Sequence, residues 1–253
     1  MNRAKHVCVL MGGWSGERER SVKSGRACAE ALEKQGFRVT RVDVGRDIAN
    51  VLSVLKPDAV LNVVHGRPGR DGRLQGVLET VGVPYTHSGV LAAALSAQPH
   101  IAHLVLRGSG IPVANGTRGG AAVTGPAAPR MLACAVMGET ALGVAELGPE
   151  PAPAGEPTRT PPCILPAPLS PNVYQEVRRL ALAAHRALGC RGVSRAEFRL
   201  KSGAEGNDEL VCVEVDPQPG MTETSLVPEL AGYAGVSFNE LVRWIVEDAS
   251  VGR

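Results

Sequence analysis

Apolar and polar positions follow two rhythms along the first part of the chain. His6 to Met11 is a short, nearly unbroken apolar run, which reads as a buried strand. Glu17 to Gln35 then has helical spacing and stops at Gly36. Phe37 to Val44 and Ala59 to Val64 read as further strands, with a helix over Ile48 to Leu55 between them. Arg73 to Val81, Val90 to Ala97 and Pro99 to Gly108 have helical spacing. Strands alternating with helices predict a parallel sheet covered on both faces. In such sheets functional loops lie at the carboxyl ends of the strands. Two loops fall there, Gly12 to Glu19 and His65 to Gly72.

The rhythm changes in the middle of the chain. Asn115 to Pro129 is rich in Gly, Ala and Pro and has no hydrophobic period. Met131 to Leu147 reads as a hairpin turning at Gly138-Glu139. Pro149 to Pro171 holds nine of the 19 prolines, which predicts an extended connector. Asn172 to Leu188 is amphipathic, with Val173, Val177, Leu180, Leu182 and Ala184 expected on the buried face. Arg195 to Arg199 and Val213 to Asp216 alternate like strands, joined by a turn from Ser202 to Asp208. Helices over Leu226 to Tyr233 and Phe238 to Val246 follow.

Composition narrows the classes. With 253 residues, 44% hydrophobic and 21% charged, the chain has the balance of a soluble protein of one or two domains. A net charge of +2 and 3% aromatics argue against a nucleic-acid partner. No apolar run is long enough to span a membrane, and Met1 to Val7 lacks the features of a signal peptide. The six cysteines show no C-x-x-C pair, as expected of reduced thiols in the cytoplasm.

The chemistry concentrates on the late hairpin. Glu214 and Asp216 are two apart, so both carboxylates face one side of the sheet, and Glu197 can face them across the ladder. Three convergent carboxylates are the oxygen ligands that Mg²⁺ or Mn²⁺ takes while holding nucleotide phosphates. Arg195 is the one neighbouring cation that the strand pattern offers, so the carboxylates should repel one another in the metal-free protein. Near the amino terminus, Gly12, Gly13 and Gly16 miss the G-x-G-x-x-G spacing of a dinucleotide site. They suit a tight turn that presents N–H groups and Glu17 to a cleft. The second loop packs His65, Arg67, Arg70, Asp71 and three glycines into eight residues.

These segments resemble the D-alanine–D-alanine ligases of the ATP-grasp superfamily. The matching stretches are MGGWSGERE (Met11 to Glu19), VVHGRPGRDGRLQGVLE (Val63 to Glu79), GVPYTHSGVLAAALS (Gly82 to Ser96), AVMGETALGVAE (Ala135 to Glu146), GCRGVSRAEFRL (Gly189 to Leu200) and the long run from Val213 to Ser250. The resemblance implies an α/β fold in three parts: a parallel α/β domain over 1–112, a remnant of the ATP-grasp lid with its Pro-rich connector over 113–171, and an ATP-grasp-like α+β domain over 172–253. It implies that ATP phosphorylates one D-alanine and that the amino group of a second attacks the acyl-phosphate. Glu17 would hold the first ammonium, with His65 near the first carboxylate. Arg195 and the backbone of Gly220 would stabilise the oxyanion, and Ser225 and Leu226 would meet the second carboxylate. Glu197, Glu214 and Asp216 would hold two Mg²⁺. A homodimer through the N-terminal domain is also implied.

The chain departs from the family pattern at informative places. Glu197 stands where the family has Asp, Asp216 where it has Asn, and Arg70 where it has an acidic residue. Ala97-Gln98-Pro99 replaces Met-Asp-Lys. Between Pro112 and Ala133 the family has a lid tens of residues longer, with a phosphate-facing lysine and a Gly/Ser-rich loop. A second lysine belongs to a loop that Pro149 to Pro162 replaces. The five lysines here are Lys5, Lys23, Lys34, Lys56 and Lys201, so none lies between 57 and 200. The expectation is a ligase of this family with weakened ATP binding and impaired catalysis. The alternative is a non-catalytic, ligase-like amino-acid-binding or regulatory paralogue.

Overall fold

A computed structural model describes residues 4–114, 129–148, 163–201 and 208–252. The first sheet is parallel, in the order β2–β1–β3, with β1 His6–Met11, β2 Arg38–Asp43 and β3 Ala59–Asn62. β1 is central and wholly buried, which is why it reads as a continuous apolar run. Its alternate residues serve two cores. Val7, Val9 and Met11 face α1 (Arg18–Lys34), while Cys8 and Leu10 face α2 (Ile48–Leu55) and α3 (Arg73–Val81). Gly25 lets α1 lie close on the sheet, since a Cβ there would come within 2.6 Å of Met11 Cβ. Helices α4 (Val90–Ser96) and α5 (Pro99–Gly108) follow.

The second sheet is antiparallel, in the order β6–β5–β4–β7–β8. Its strands are β4 Arg130–Met137, β5 Thr140–Leu147, β6 Cys163–Ile164, β7 Val193–Lys201 and β8 Glu209–Asp216. One face packs on α6 (Pro171–Ala187) through Leu132, Cys134 and Val136. The other carries Ala133 and Ala135 into a core shared with α7 (Leu226–Tyr233), α8 (Phe238–Glu247), α1 and β1. One hydrophobic core therefore joins the amino-terminal sheet to the carboxy-terminal helices. Gln35 Nε2 also donates to the Asn239 carbonyl at 2.8 Å. Beyond β3, Tyr85 bridges Val60 on one side and Ser250 on the other, so residues near 250 return to the first sheet.

The α/β architecture and both predicted sheets are present. Segments 115–128, 149–162 and 202–207 lie outside the described residues, and with them most of the Gly/Ala/Pro stretch, most of the Pro-rich connector and the expected hairpin turn. The described end of that connector is not wholly extended coil, because Cys163 and Ile164 pair with β5. The buried face of α6 also differs from the expected one. Val177, Leu180, Ala181, Ala184 and His185 are buried, whereas Val173 and Leu182 are only half-buried. The true stripe runs at i, i+3, i+4, i+7 and i+8 from Val177, and Leu182 falls off it. Among the described residues no helix is long and apolar enough to cross a membrane. None of the six cysteines is in a disulfide, and all but Cys163 are buried.

His185 gives the fold a measurable pH response. Its Nδ1 lies 2.7 Å from Ser194 Oγ, and burial pulls the imidazole pKa down from 6.5 to about 4. Above pH 6.5 the ring is neutral in both folded and unfolded chains. As pH falls from there toward 4, the unfolded chain takes up a proton that the folded one refuses, so stability declines. This group should cost on the order of 3 kcal/mol across that window. Urea unfolding of His185→Gln over the same range should show a shallower decline. A slope equal to the parent's would mean that the histidine is not buried as a neutral ring.

Candidate functional site

The carboxylate hairpin has the expected register. On the β7–β8 ladder Glu197 faces Glu214, and Arg195 faces Asp216. The ladder slips between the Glu197–Glu214 and Phe198–Cys212 pairs, leaving Val213 as an extra residue. The bulge lets Cys212 and Val215, three apart, both enter the α6 core while Glu214 and Asp216 stay on the site face.

The charges on that face differ from the expectation. Arg195 Nη2 lies 3.0 Å from Glu197 Oε1 and 3.6 Å from Asp216 Oδ2. A second guanidinium, Arg70, comes from the loop after β3 and pairs with Asp216 Oδ2. Its Nη2 also donates to the Gln218 carbonyl at 2.7 Å. Asp216 Oδ1 accepts the Gln218 N–H at 3.0 Å. Arg195 is therefore not the only neighbouring cation, and the correction has a physical cause: two loops distant in sequence bring opposite charges together. Burial alone would raise the Asp216 carboxyl, but Arg70, then Arg195, hold its pKa at about 2. Two of the departures from the family pattern, Arg70 and Asp216, are thus the two residues of one ion pair.

A buried network of amides holds the two loops together. Gln218 Oε1 accepts from Asn62 Nδ2 at 3.0 Å and from Gln75 Nε2 at 3.3 Å, and Gln218 Nε2 donates to the Val64 carbonyl at 2.9 Å. Asn62 and Gln75 both also donate to the Gly69 carbonyl. Gly69 has to be glycine, because a Cβ there would fall 2.2 Å from the Val64 carbonyl oxygen. The sequence reading missed Asn62, Gln75 and Gln218. The available signal was Asn62, a polar residue at the end of an otherwise apolar strand.

The amino-terminal candidates gather beside this network. His65 is buried, with Nε2 3.1 Å from Ser24 Oγ, and its carbonyl accepts from Ser15 Oγ at 2.9 Å. Burial, reinforced by Arg70 and Arg20, lowers its pKa to about 3, so the ring is neutral near pH 7. Glu17 stands at the start of α1, its carboxylate partly exposed and 3.7 Å from Arg20. It approaches the second loop at Gly66, where an added Cβ would meet it at 3.4 Å. The charge of Glu17 reaches Arg70, as do those of Asp216 and Glu214, so the amino-terminal loop and the hairpin share one site.

Gly220 and Ser225 lie in the turn leading into α7. Ser225 Oγ accepts from the Thr222 N–H at 3.1 Å and is 2.7 Å from Thr222 Oγ1, while Leu226, the first residue of α7, is buried. A Cβ on Gly220 would meet Ser225 Oγ at 3.2 Å, so the two candidates are adjacent. A separate cleft of ≈ 290 Å³ lies between α1 and the same turn, lined by Lys23, Lys34, Thr222, Thr224 and Asn239 among others.

The donor set fits one divalent ion better than two. Glu197 and Glu214 face each other, whereas both oxygens of Asp216 accept from protein donors. Among the described residues no three His, Cys, Asp or Glu side chains form a metal-binding group.

The two-sheet architecture is shared with solved ligases. It overlays a solved D-alanine–D-alanine ligase from Bacillus anthracis, complexed with ATP, with a TM-score of 0.79 and 21% identity over 97% of each chain. A family profile described as "D-ala D-ala ligase C-terminus" matches residues 158–247. Proteins named D-alanine–D-alanine ligase from Afipia carboxidovorans and Methylocella silvestris are 48% and 49% identical, over 100% and 99% of this chain and 100% of each relative. This chain belongs to the D-alanine–D-alanine ligase family. The Afipia alignment runs over 308 positions for a chain of 253 residues, so about 55 of them (308 less 253) have no residue here.

Proposed function

We propose that this protein joins two D-alanine molecules at the expense of ATP, for peptidoglycan precursor synthesis, with a weakened ATP step. The observation that carries this reading is the meeting of Glu17, His65 and the Arg195 hairpin around one network, none of it dependent on the shortened lid. Glu17 holds the ammonium of the first D-alanine. His65, being neutral, offers a hydrogen bond rather than a charge to its carboxylate. Arg195 and the Gly220 backbone face the oxyanion formed when the second amino group attacks. Ser225 and Leu226, at the amino end of α7, receive the second carboxylate. A divalent ion, Mg²⁺ or Mn²⁺, would be held by Glu197 and Glu214 and would neutralise phosphate oxygens.

The three-part division at 112 and 171 belongs to this proposal, with the first and last parts sharing a core. So does a cytoplasmic homodimer through the N-terminal part, where Leu91 and Leu104 on α4 and α5 are exposed. The ATP-bound relative from Bacillus anthracis supports the nucleotide assignment.

The test is ADP release from the purified chain with and without D-alanine. Slow release that depends on D-alanine is expected, together with D-alanine-induced changes in the amide NMR spectrum. Glu17→Ala should remove both. Spectral changes without any D-alanine-dependent ADP release would favour the non-catalytic binding paralogue. Neither response would leave the cleft without its ligand.

A further inference from the structure

Three carboxylates on the hairpin face meet two guanidiniums, and the second guanidinium reaches them from a different part of the chain. Arg70 is fixed at two points, on Asp216 and on the Gln218 carbonyl. Asp216 is committed at both oxygens, to Arg70 and Arg195 through Oδ2 and to the Gln218 N–H through Oδ1. Its side chain is 7% exposed, and that of Arg70 is 26% exposed. A planar guanidinium held in this way is a pre-organised cation, and its departure would leave the buried Asp216 carboxylate with the more distant Arg195, at 3.6 Å, and the Gln218 N–H.

We propose that Arg70 is a built-in cation of this site, occupying Asp216 and excluding a second divalent ion from the hairpin. Asp216 is then an arginine anchor rather than a metal ligand. Charge counting agrees. Among the described residues, Glu197, Glu214, Asp216 and Glu17, whose charge also reaches Arg70, stand against Arg195 and Arg70, so a single divalent ion already balances the group. A second ion would meet no remaining net negative charge and would face the first ion and both guanidiniums. The inference rests on the reading of Glu197 and Glu214 as the place where a metal ion binds. It predicts a site whose positive charge is partly covalent and therefore independent of metal concentration.

The experiment is a Mn²⁺ titration of the full chain, without nucleotide or D-alanine, following free Mn²⁺ by electron paramagnetic resonance. The unaltered protein should bind no more than one Mn²⁺ at millimolar concentration. Arg70→Gln should bind Mn²⁺ at least about tenfold more tightly or take up a second ion, because Asp216 becomes available and a repelling charge is gone. Adding Asp216→Ala to that variant should reverse the gain. Two ions in the unaltered protein would overturn the proposal, as would unchanged binding in folded Arg70→Gln. The count in the unaltered protein decides even should Arg70→Gln fail to fold. Dipeptide synthesis does not enter the readout, so a failed ligase assay would leave this result intact.

Discussion

Calorimetric titration with MgATP is expected to give a dissociation constant in the millimolar range, with no micromolar binding. The reason is the absence of lysine between residues 57 and 200. The family places two phosphate-facing lysines in the region that this stretch represents. Each charge-assisted hydrogen bond to a phosphate is worth roughly 1.5–3 kcal/mol, so losing two weakens binding by about 3–6 kcal/mol. That is a factor of roughly 10²–10⁴ in affinity. Arginine is abundant here, but its rigid planar fork is a poor replacement for a compact ammonium on a flexible stem. The alignment with the Afipia relative independently leaves about 55 positions empty, 308 less 253. Micromolar MgATP binding by this chain alone would show that other groups replace the lysines, and the expectation of impaired catalysis would fall with it.

Gln218→Ala should lower the melting temperature by about 6–12 °C, the largest effect expected from a single change outside the hydrophobic core. Its amide serves three buried partners at once, Asn62, Gln75 and the Val64 carbonyl. Removing it leaves the carbonyl without that donor and weakens two amides, for a cost of about 3 kcal/mol. For a chain of this size each kcal/mol shifts the midpoint by about 2–4 °C. Gln218→Leu is the discriminating control. It restores volume but not hydrogen bonding, so it should be no more stable than the alanine variant. Thermal unfolding of Gln218→Leu near the parental midpoint would reduce the network to simple packing.

The elements were legible in the sequence wherever one rhythm persisted. The helices over Ile48–Leu55, Arg73–Val81 and Pro99–Gly108 match their expected limits at both ends. Strand alternation was enough to place Glu197 opposite Glu214, because a two-residue period leaves few registers for charged residues. The same pattern could not reveal the bulge at Val213, which is an interruption of the period. On α6, a one-position error of phase promoted Leu182 over Ala181. The site was legible in its residue types but not in its pairing. Arg70 and Gln218 are 148 positions apart, and nothing local in either segment announces that the two meet. Electrostatic partners of that kind are set by the tertiary fold, so a reading confined to one hairpin found its anions and only half of its cations.

The core that α1 shares with α7 and α8 also imposes an order on the making of this protein. Gln35 must wait for Asn239, a partner 204 positions later. At ribosomal speeds of about 5–20 residues per second, that interval is roughly 10–40 s. Throughout it, the apolar flank of α1 built from Cys28, Ala31 and Leu32 is synthesised but lacks its cover from α7 and α8. A nascent chain of this design keeps that flank uncovered for most of its synthesis.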